Sequence, residues 1–346
     1  MQLQKFTFAA LSLLLTGLLF ASSPAPAQPK EVIISKKAQD SLLLDAVQLG
    51  SGRIVTLGER GHILISDDNG ESWQQVPTPT RDTLTAVDFI DDKNGVAVGF
   101  EQSILVTRDG GESWQLKHHL ENAFDQPAFF DVEYLDQNRV IAIGAYGLYF
   151  ESEDGAETWQ AQEFESLADI YGGFSHFYGF TQVGNSEQLY LAGEKYVASE
   201  DQDGVETSTG LLAMSADGGK SWKKLSSPYN GSFFGIAVSA DQQVFAYGLK
   251  GNLYRSSDQG LSWNKLNTNS ASGLHDIVFD GQNDWYLVGT SGTLIEGKTL
   301  VINKRSDLKG RAAILLLDDG QLLIVGEGGV EKRSSQLESK AAAETE

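Results

Sequence analysis

Five aspartates in this chain recur in the same eight-residue setting, between two hydroxyl side chains and ahead of a tryptophan. The shared pattern is Ser/Thr-x-Asp-x-Gly/Ala-x-Ser/Thr-Trp, and it contains five of the six tryptophans. A carboxylate beside hydroxyls could serve acid–base chemistry, but the spacing favours a tight turn in which the aspartate accepts backbone N–H groups two or three residues further on. Glycine supplies the positive φ, and tryptophan covers the turn. We therefore predict structural roles for Asp68, Trp73, Asp109, Trp114, Asp154, Trp159, Asp217, Trp222, Asp258 and Trp263.

Signals for other site chemistry are weak. The chain has no cysteine, which excludes disulfides, thiolate metal ligands and thiol catalysis. It also lacks the nucleophile-elbow, phosphate-loop and zinc-protease motifs. His118 and His119 are adjacent, so on a strand their side chains point apart, and Asp201–Glu206 has only part of a calcium-loop pattern. We predict no metal, no cofactor and no catalytic residue, although the abundant carboxylates leave a glycosidase open.

The motifs are positioned by a longer repeat. Seven apolar runs end in glycine at intervals of 37 to 55 residues, and each repeat contains short strand-like runs bounded by turn residues. Such a period is typical of a β-propeller, because blades packed in a ring bury both faces of each small sheet. We predict an all-β, seven-bladed propeller of four-stranded antiparallel blades with Asp-box turns. The last repeat has three runs only, so we expect Glu31–Ser35 to supply its fourth strand and close the ring.

Composition and the N-terminal segment indicate export. Lys5 precedes an apolar run at 6–20, and Ala25-Pro26-Ala27 resembles a signal-peptidase site. We expect a periplasmic or secreted protein, lumenal in a photosynthetic organism, and a monomer. The net charge of −21 disfavours nucleic acid and anionic membranes as partners, and no later segment is apolar enough to be membrane-embedded. The predicted divisions are a signal peptide at 1–27, the propeller at 28–334 with an insertion at 194–210, and a disordered tail at 335–346.

Candidate binding residues concentrate on the face opposite the Asp-box turns. Three innermost strands begin with an aromatic pair, at 129–130, 177–178 and 233–234. One member of each pair should pack between blades, and the other should reach the channel or its rim. Such aromatic residues can form a protein-binding patch; alternatively, they only fill the core between blades. The predicted partner-binding residues are Phe129, Phe130, Tyr146, Tyr171, Phe177, Tyr178, Lys195, Tyr229, Phe233 and Phe234.

These motifs resemble two groups of proteins. The repeated turn is similar to that of sialidases and other bacterial-neuraminidase-repeat proteins. The register V-x-x-G-x-x-G-x-I-x-x-S-x-D-x-G-x-S-W, its seven copies and the signal peptide more closely resemble the photosystem II stability and assembly factor family, over about residues 31–334. That resemblance implies an exported, non-enzymatic propeller. Such a protein would bind a protein partner, a subunit of a membrane complex, and assist assembly or stability of that complex.

Two other hypotheses stay open on the sequence. A sialidase-like glycoside hydrolase or carbohydrate-binding propeller would use Asp169, Tyr171, Tyr178 and Glu194 as rim residues. A sialidase would also need an Arg-Ile-Pro motif near the start of the fold, and the sequence has none. The third hypothesis is a secreted repeat protein without a dedicated ligand.

Overall fold

The computed structural model describes residues 30–120, 127–168, 175–198, 206–281 and 284–335. Across these residues nearly all regular structure is β-strand, arranged in seven antiparallel sheets of consecutive strands. The predicted all-β, seven-bladed propeller is confirmed. The predicted signal peptide at 1–27, all but the first residue of the tail at 335–346, and the candidates Asp169 and Tyr171 lie outside the described residues.

Each blade runs outward from the central channel, so its first strand is innermost. The strands of the first three blades are β1 (Leu43–Gln48), β2 (Ile54–Gly58), β3 (Ile63–Ser66), β4 (Gln74–Val76); β5 (Leu84–Phe89), β6 (Gly95–Gly99), β7 (Ile104–Thr107), β8 (Gln115–His118); and β9 (Phe129–Tyr134), β10 (Val140–Gly144), β11 (Tyr149–Ser152), β12 (Gln160–Ala161). Short 3₁₀ turns lie at Ala38–Asp40, Glu59–Gly61, Phe100–Gln102, Ala145–Gly147 and Leu249–Gly251.

The remaining four blades follow the same order. Their strands are β13 (His176–Gln182), β14 (Leu189–Ala198), β15 (Glu206–Ser215), β16 (Lys223–Lys224); β17 (Phe233–Val238), β18 (Val244–Gly248), β19 (Leu253–Ser256), β20 (Asn264–Leu266); β21 (Leu274–Phe279), β22 (Trp285–Gly289), β23 (Thr293–Glu296), β24 (Val301–Lys304); and β25 (Arg311–Leu316), β26 (Gln321–Gly326), β27 (Gly329–Ser334). In the fourth blade the insertion prolongs β14 and β15, which pair from Leu189 with Ser215 to Ala198 with Glu206.

The core consists of wedges between neighbouring blades rather than one central mass. The second strand of a blade is buried along its whole length, as in Ile54–Gly58 and Val140–Gly144, because it has a neighbouring sheet on both faces. Each of seven hydrophobic clusters joins one blade to the next, and one of them joins the seventh blade to the first through Leu43, Ile54 and Leu323. Apolar packing therefore joins neighbouring blades around the whole circumference of the ring.

The expected N-terminal closure strand is wrong. Within the described residues the seventh sheet contains only β25, β26 and β27. The run Glu31–Ser35 instead lies against the first blade: Val32 N donates to Thr78 O over 3.0 Å, and Gln75 Nε2 donates to Ile33 O over 3.1 Å. Ring closure uses side chains, including Lys332, whose ammonium group donates to Asn69 O over 2.8 Å. The β-branched run satisfied the strand pattern, but its hydrogen-bond partners lie on the first blade.

The repeated glycine ends the second strand of every blade except the fourth, where Gly193 lies within β14, and it is required for a steric reason. Glu59 N, just after Gly58, donates to Leu42 O over 3.0 Å, which draws this turn against the start of the innermost strand. A Cβ atom on Gly58 would overlap Leu42 O, and one on Gly144 would overlap Ala128 O in the same way. The backbone of Gly58 is extended, so glycine is required here by close approach and not by a left-handed conformation.

The Asp-box turns are closed by hydrogen bonds within each motif. Asp68 accepts Ser72 N over 2.8 Å and the Ser72 hydroxyl over 2.5 Å, and the Ser66 hydroxyl donates to Asp68 over 2.8 Å. The N–H group that Asp68 accepts therefore lies four residues further along the chain, rather than the predicted two or three. These hydrogen bonds lower the pKa of Asp68 to about 2. Trp73 Nε1 donates to Gly70 O over 3.2 Å, which fixes the indole over the turn.

Candidate functional site

The innermost strand of every blade carries a β-bulge near its start, and the bulged residues line the central channel. In β1 the register shifts between Leu43 and Asp45, so Leu44 has no ladder partner. A bulge redirects a side chain without ending the strand, and here it points seven side chains at one cavity of about 280 Å³. The bulged residues are Leu44, Thr85, Phe130, Tyr178, Phe234, His275 and Ala312.

Four consecutive blades place rings at these positions, and we call Phe130, Tyr178, Phe234 and His275 the aromatic arc. Phe130 stacks on Tyr178 with ring centroids 5.3 Å apart, and Tyr178 meets Phe234 edge-on at 5.6 Å. Phe234 and His275 follow at 5.8 Å. The other three blades contribute leucine, threonine and alanine, so the channel has one aromatic side and one side of smaller residues.

The predicted division of each aromatic pair is observed. Phe129, Phe177 and Phe233 are buried in the wedges between blades. Their neighbours Phe130, Tyr178 and Phe234 are only partly buried and line the cavity. The first member of each pair therefore contributes to the core, and the second member is available to a ligand. The role of either set in binding stays a prediction.

The residue after each bulge forms a second layer in the channel, and in three blades it is aspartate. Asp131 accepts its neighbour Val132 N over 2.9 Å and, from the next blade, Phe180 N over 2.9 Å. Asp45 and Asp276 make the equivalent pairs of hydrogen bonds to their own and the following blade. We call these three the channel carboxylates. Each one fastens two blades together while lining the cavity.

The channel carboxylates are poorly solvated. Burial raises the pKa of Asp131 to about 7 and that of Asp276 to about 6, and it raises the pKa of Asp45 well above the ordinary aspartate value. Repulsion from Asp276 adds to this effect at both Asp45 and Asp131. None of the described residues that line the cavity is lysine or arginine, so no described cation in the lining compensates these charges.

A phenol completes the inner layer. Tyr247 lies on β18, the second strand of the fifth blade, yet it lines the cavity. It reaches the channel because Gly235 leaves the space open: a Cβ atom there would lie 2.5 Å from the Tyr247 hydroxyl. The Tyr247 side chain is 5% exposed, and its hydroxyl has no hydrogen-bond partner among the described residues. The phenol oxygen is therefore open to a ligand in the cavity.

The channel opens on the face that carries the inter-blade loops and the 3₁₀ turns, which we call the loop face. The central residues of four of these turns, Arg60, Glu101, Tyr146 and Lys250, have left-handed φ values of 54° to 59°. Non-glycine residues adopt this conformation at some cost, and they often do so at functional positions. Tyr146 is 54% exposed and packs on His176 with centroids 4.6 Å apart, which extends the aromatic surface from the channel towards the rim.

Other predicted site residues are placed differently. Tyr229 is half-buried and packs on Phe233 and Tyr254, away from the channel lining. Lys195 lies in the extended β14–β15 hairpin, opposite Thr209. Glu194 lies at the base of that hairpin, where its carboxylate accepts the Tyr178 hydroxyl over 3.0 Å and also the Ser232 hydroxyl. Glu194 therefore positions one ring of the aromatic arc.

Sequence reasoning missed His275, Tyr247 and the channel carboxylates. His275 and Asp276 follow Leu274 as Phe130 and Asp131 follow Phe129, so aligning the starts of the innermost strands would have found them. Tyr247 gives no such signal, since it reaches the channel only through the missing side chain of Gly235.

Comparison with known proteins identifies a family that part of this chain resembles. Residues 65–160 match the model of the photosynthesis system II assembly factor YCF48 family. The predicted resemblance to that family is confirmed. No curated protein sequence matches the chain.

Solved structures share the fold at low sequence identity. A structure of YCF48 bound to a D1 peptide is 17% identical, with a TM-score of 0.62, covering 90% of this chain and 99% of that one. YCF48 from Cyanidioschyzon merolae is 15% identical, with a TM-score of 0.62, covering 89% and 98%. An extracellular domain of a one-component system from B. thetaiotaomicron is 12% identical, with a TM-score of 0.63, covering 88% of this chain and 40% of that one.

The described residues contain no candidate metal site and no candidate membrane-spanning helix. Among them, no cluster of three or more histidine, aspartate or glutamate side chains is arranged to hold a metal ion. The same residues include no helix with the length and apolar character needed to cross a membrane.

Proposed function

We propose that this chain is an exported, non-enzymatic propeller that binds a segment of a partner protein at its loop face. By doing so it assists the assembly or stability of a membrane complex, in the periplasm or an equivalent lumen. The observation that carries the proposal is the aromatic arc: four rings in contact, on one side of a channel whose other walls are small. Aromatic side chains in partly desolvated surroundings are the residue types that dominate protein recognition.

The comparisons support this reading of the site. The family whose model matches residues 65–160 is described as an assembly factor. One solved propeller with the same fold is bound to a peptide. A binding role also fits the chemistry of the site, because its residues are the aromatic arc and the channel carboxylates, whose hydrogen bonds join neighbouring blades.

The test is photo-crosslinking from two exposed apolar positions on opposite faces. A photoreactive phenylalanine replaces Tyr146 on the loop face, or Leu261, which is 73% exposed in an Asp-box turn. Crosslinking in solubilised membranes of the source organism should yield a membrane-complex subunit from position 146 and not from position 261. Equal yields from both positions, or specific binding on a glycan array, would refute the proposal.

Two further measurements test the other parts of the proposal. Truncation of Tyr178 to alanine removes the central ring of the aromatic arc and should weaken partner binding roughly 30-fold, as for an interface residue worth about 2 kcal/mol. Leu261→Ala is the matched control and should bind as the native chain does. Export predicts that the mature protein begins at Gln28, which N-terminal sequencing of the purified protein would check.

A further inference from the structure

We infer that the channel mouth is a pocket for one basic side chain, a guanidinium or alkylammonium group, presented by the partner polypeptide. The source of that side chain rests on the proposed function. The pocket itself rests on four features of the channel: its uncompensated carboxylates, an unpaired phenol, the aromatic arc and the available volume.

The channel carboxylates can accept more hydrogen bonds than they do in this structure. An ionised carboxylate offers about four lone-pair positions, and Asp131 uses one on each oxygen for backbone N–H groups. A cation in the cavity can therefore be bound without breaking the bonds that join the third and fourth blades. With three carboxylates and no lysine or arginine among the described lining residues, the charge of the site complements a basic group.

The Tyr247 hydroxyl is the independent feature that indicates a ligand. The Tyr247 side chain is deeply buried, while its hydroxyl lines the cavity and has no partner within the described residues. The phenol oxygen is not sealed from the cavity, so a ligand there can reach it. A phenol oxygen can accept a hydrogen bond from an ammonium or guanidinium N–H, so a basic ligand would satisfy it.

The aromatic arc supplies the remaining selectivity. A cation within about 6 Å of a ring centroid is attracted to the ring face, and a guanidinium group also stacks on it. The cavity of about 280 Å³ lies just below the usual range of small-ligand pockets, roughly 300–1,000 Å³. The side formed by Leu44, Thr85 and Ala312 leaves room for an aliphatic stem opposite the rings. One extended side chain fits these features better than a bare ion.

Binding at this site should release protons. Burial keeps Asp131 partly protonated near neutral pH, and a bound cation would favour its ionised form. Affinity should therefore rise as pH increases from 5.5 to 8. Among the described residues, none of the titratable groups that act on Asp131 or line the cavity beside it is a lysine or arginine. These groups are Asp45, Asp88, Glu133, Tyr178, Tyr247, His275 and Asp276.

The experiment titrates the full chain with butylguanidinium chloride by calorimetry at constant ionic strength, with N-butylurea as the neutral isostere. Butylguanidinium should bind, and its affinity should increase at least roughly tenfold from pH 5.5 to pH 8, while butylurea should not bind. Tyr247→Phe should weaken binding about tenfold, the value of a hydrogen bond to a charged group, with no loss of fold. Asp131→Asn should remove most of the pH dependence. Asp67→Asn removes an exposed carboxylate that pairs with Arg53 and does not line the cavity, and this variant should bind as the native chain does.

Several results would overturn the inference. They are the absence of butylguanidinium binding, equal binding of butylurea, or unchanged affinity in Tyr247→Phe. A membrane partner that crosslinks through position 146 should bind native protein more tightly than Asp131→Asn protein. Equal affinity for the two would also overturn the inference, but it would leave the proposed function standing. Replacement of the arginine or lysine in the crosslinked partner segment by glutamine separates a partner side chain from a free small cation. If this replacement has no effect, the pocket does not serve the partner.

Discussion

The last blade buries an arginine where every other blade buries an apolar residue. Arg311 pairs with Gly326 just as Leu43 pairs with Gly58, and it is 2% exposed. Its guanidinium group donates to both oxygens of Glu331, over 2.8 and 2.9 Å, and to Gly292 O over 2.7 Å. The structure therefore predicts that Glu331 is required mainly as the counter-charge of this arginine.

The informative perturbation is Glu331→Gln, which keeps the shape and removes the charge. Breaking a buried ion pair from one side costs about 3–5 kcal/mol, because the remaining charge is left uncompensated. With an unfolding entropy of about 2.1 cal/mol/K per residue over roughly 300 residues, this loss lowers Tm by about 5–8 °C. Arg305 and Arg333 also lie within 3.4 and 3.7 Å of Glu331, so repulsion among the three arginines acts in the same direction.

The double variant Arg311→Leu/Glu331→Gln decides whether charge or shape is responsible. It gives the seventh blade the side chain that blades one, two and six carry at this position, and replacing a buried ion pair by apolar packing is often neutral. We expect it to recover most of the stability lost in Glu331→Gln. The control is Asp67→Asn, which breaks another two-pronged arginine pair whose carboxylate is 62% exposed, and which should cost at most about 1 kcal/mol.

Urea unfolding followed by circular dichroism, with calorimetry as a check on two-state behaviour, measures all four proteins. The reasoning fails if Glu331→Gln loses no more stability than Asp67→Asn. It also fails if the double variant is less stable than Glu331→Gln alone, because the guanidinium would then contribute packing that leucine lacks.

Three further predictions follow from the fold. The pKa values of Asp131 and Asp276 are raised above the unfolded value of about 3.9. The stability that these residues contribute is therefore complete below about pH 4 and is lost as pH rises through 6 and 7. Urea unfolding should show this decline between pH 4 and pH 8, and Asp131→Asn should make it less steep, with Asp276 still titrating. Gly144→Ala should lower stability by more than Gly320→Ala in thermal unfolding, because a Cβ atom at Gly144 overlaps a carbonyl while that at Gly320 meets nothing within 4 Å. Removal of residues 30–35 should lower Tm by no more than a few degrees, since this run makes only peripheral contacts to the first blade, and a collapse of the fold would show that it closes the ring after all.

Periodicity made most of the fold predictable from the sequence. The repeated glycines and Asp-box turns fix the number of blades and their strand order, because each repeat closes on itself locally. The burial of Phe129 beside the partly buried Phe130 was also predictable, since neighbouring strand residues face opposite ways. These inferences need only short-range pattern, which a single sequence contains.

What the sequence left undetermined depends on contacts between distant segments. Glu31–Ser35 has the composition of a strand, but Thr78 and Gln75 of the first blade supply its partners. The sequence alone suggests that Arg311 is a surface residue. Its counter-charge, Glu331, lies two strands further along the same sheet. In each case the deciding partner lies 20 or more residues away in the chain, so propensity and periodicity contain no information about it.

The case for a binding site in the channel rests on where the seven repeats differ. The fold does not require an aromatic side chain at the bulge, because three blades have leucine, threonine or alanine there. The three wedges from blade two to blade five are already filled by Phe129, Phe177 and Phe233. The second rings of these pairs therefore add little to the core and remain partly exposed to a cavity lined with carboxylates. Side chains of this size, placed together on one side of the ring without a structural requirement, are best explained by a ligand that contacts them.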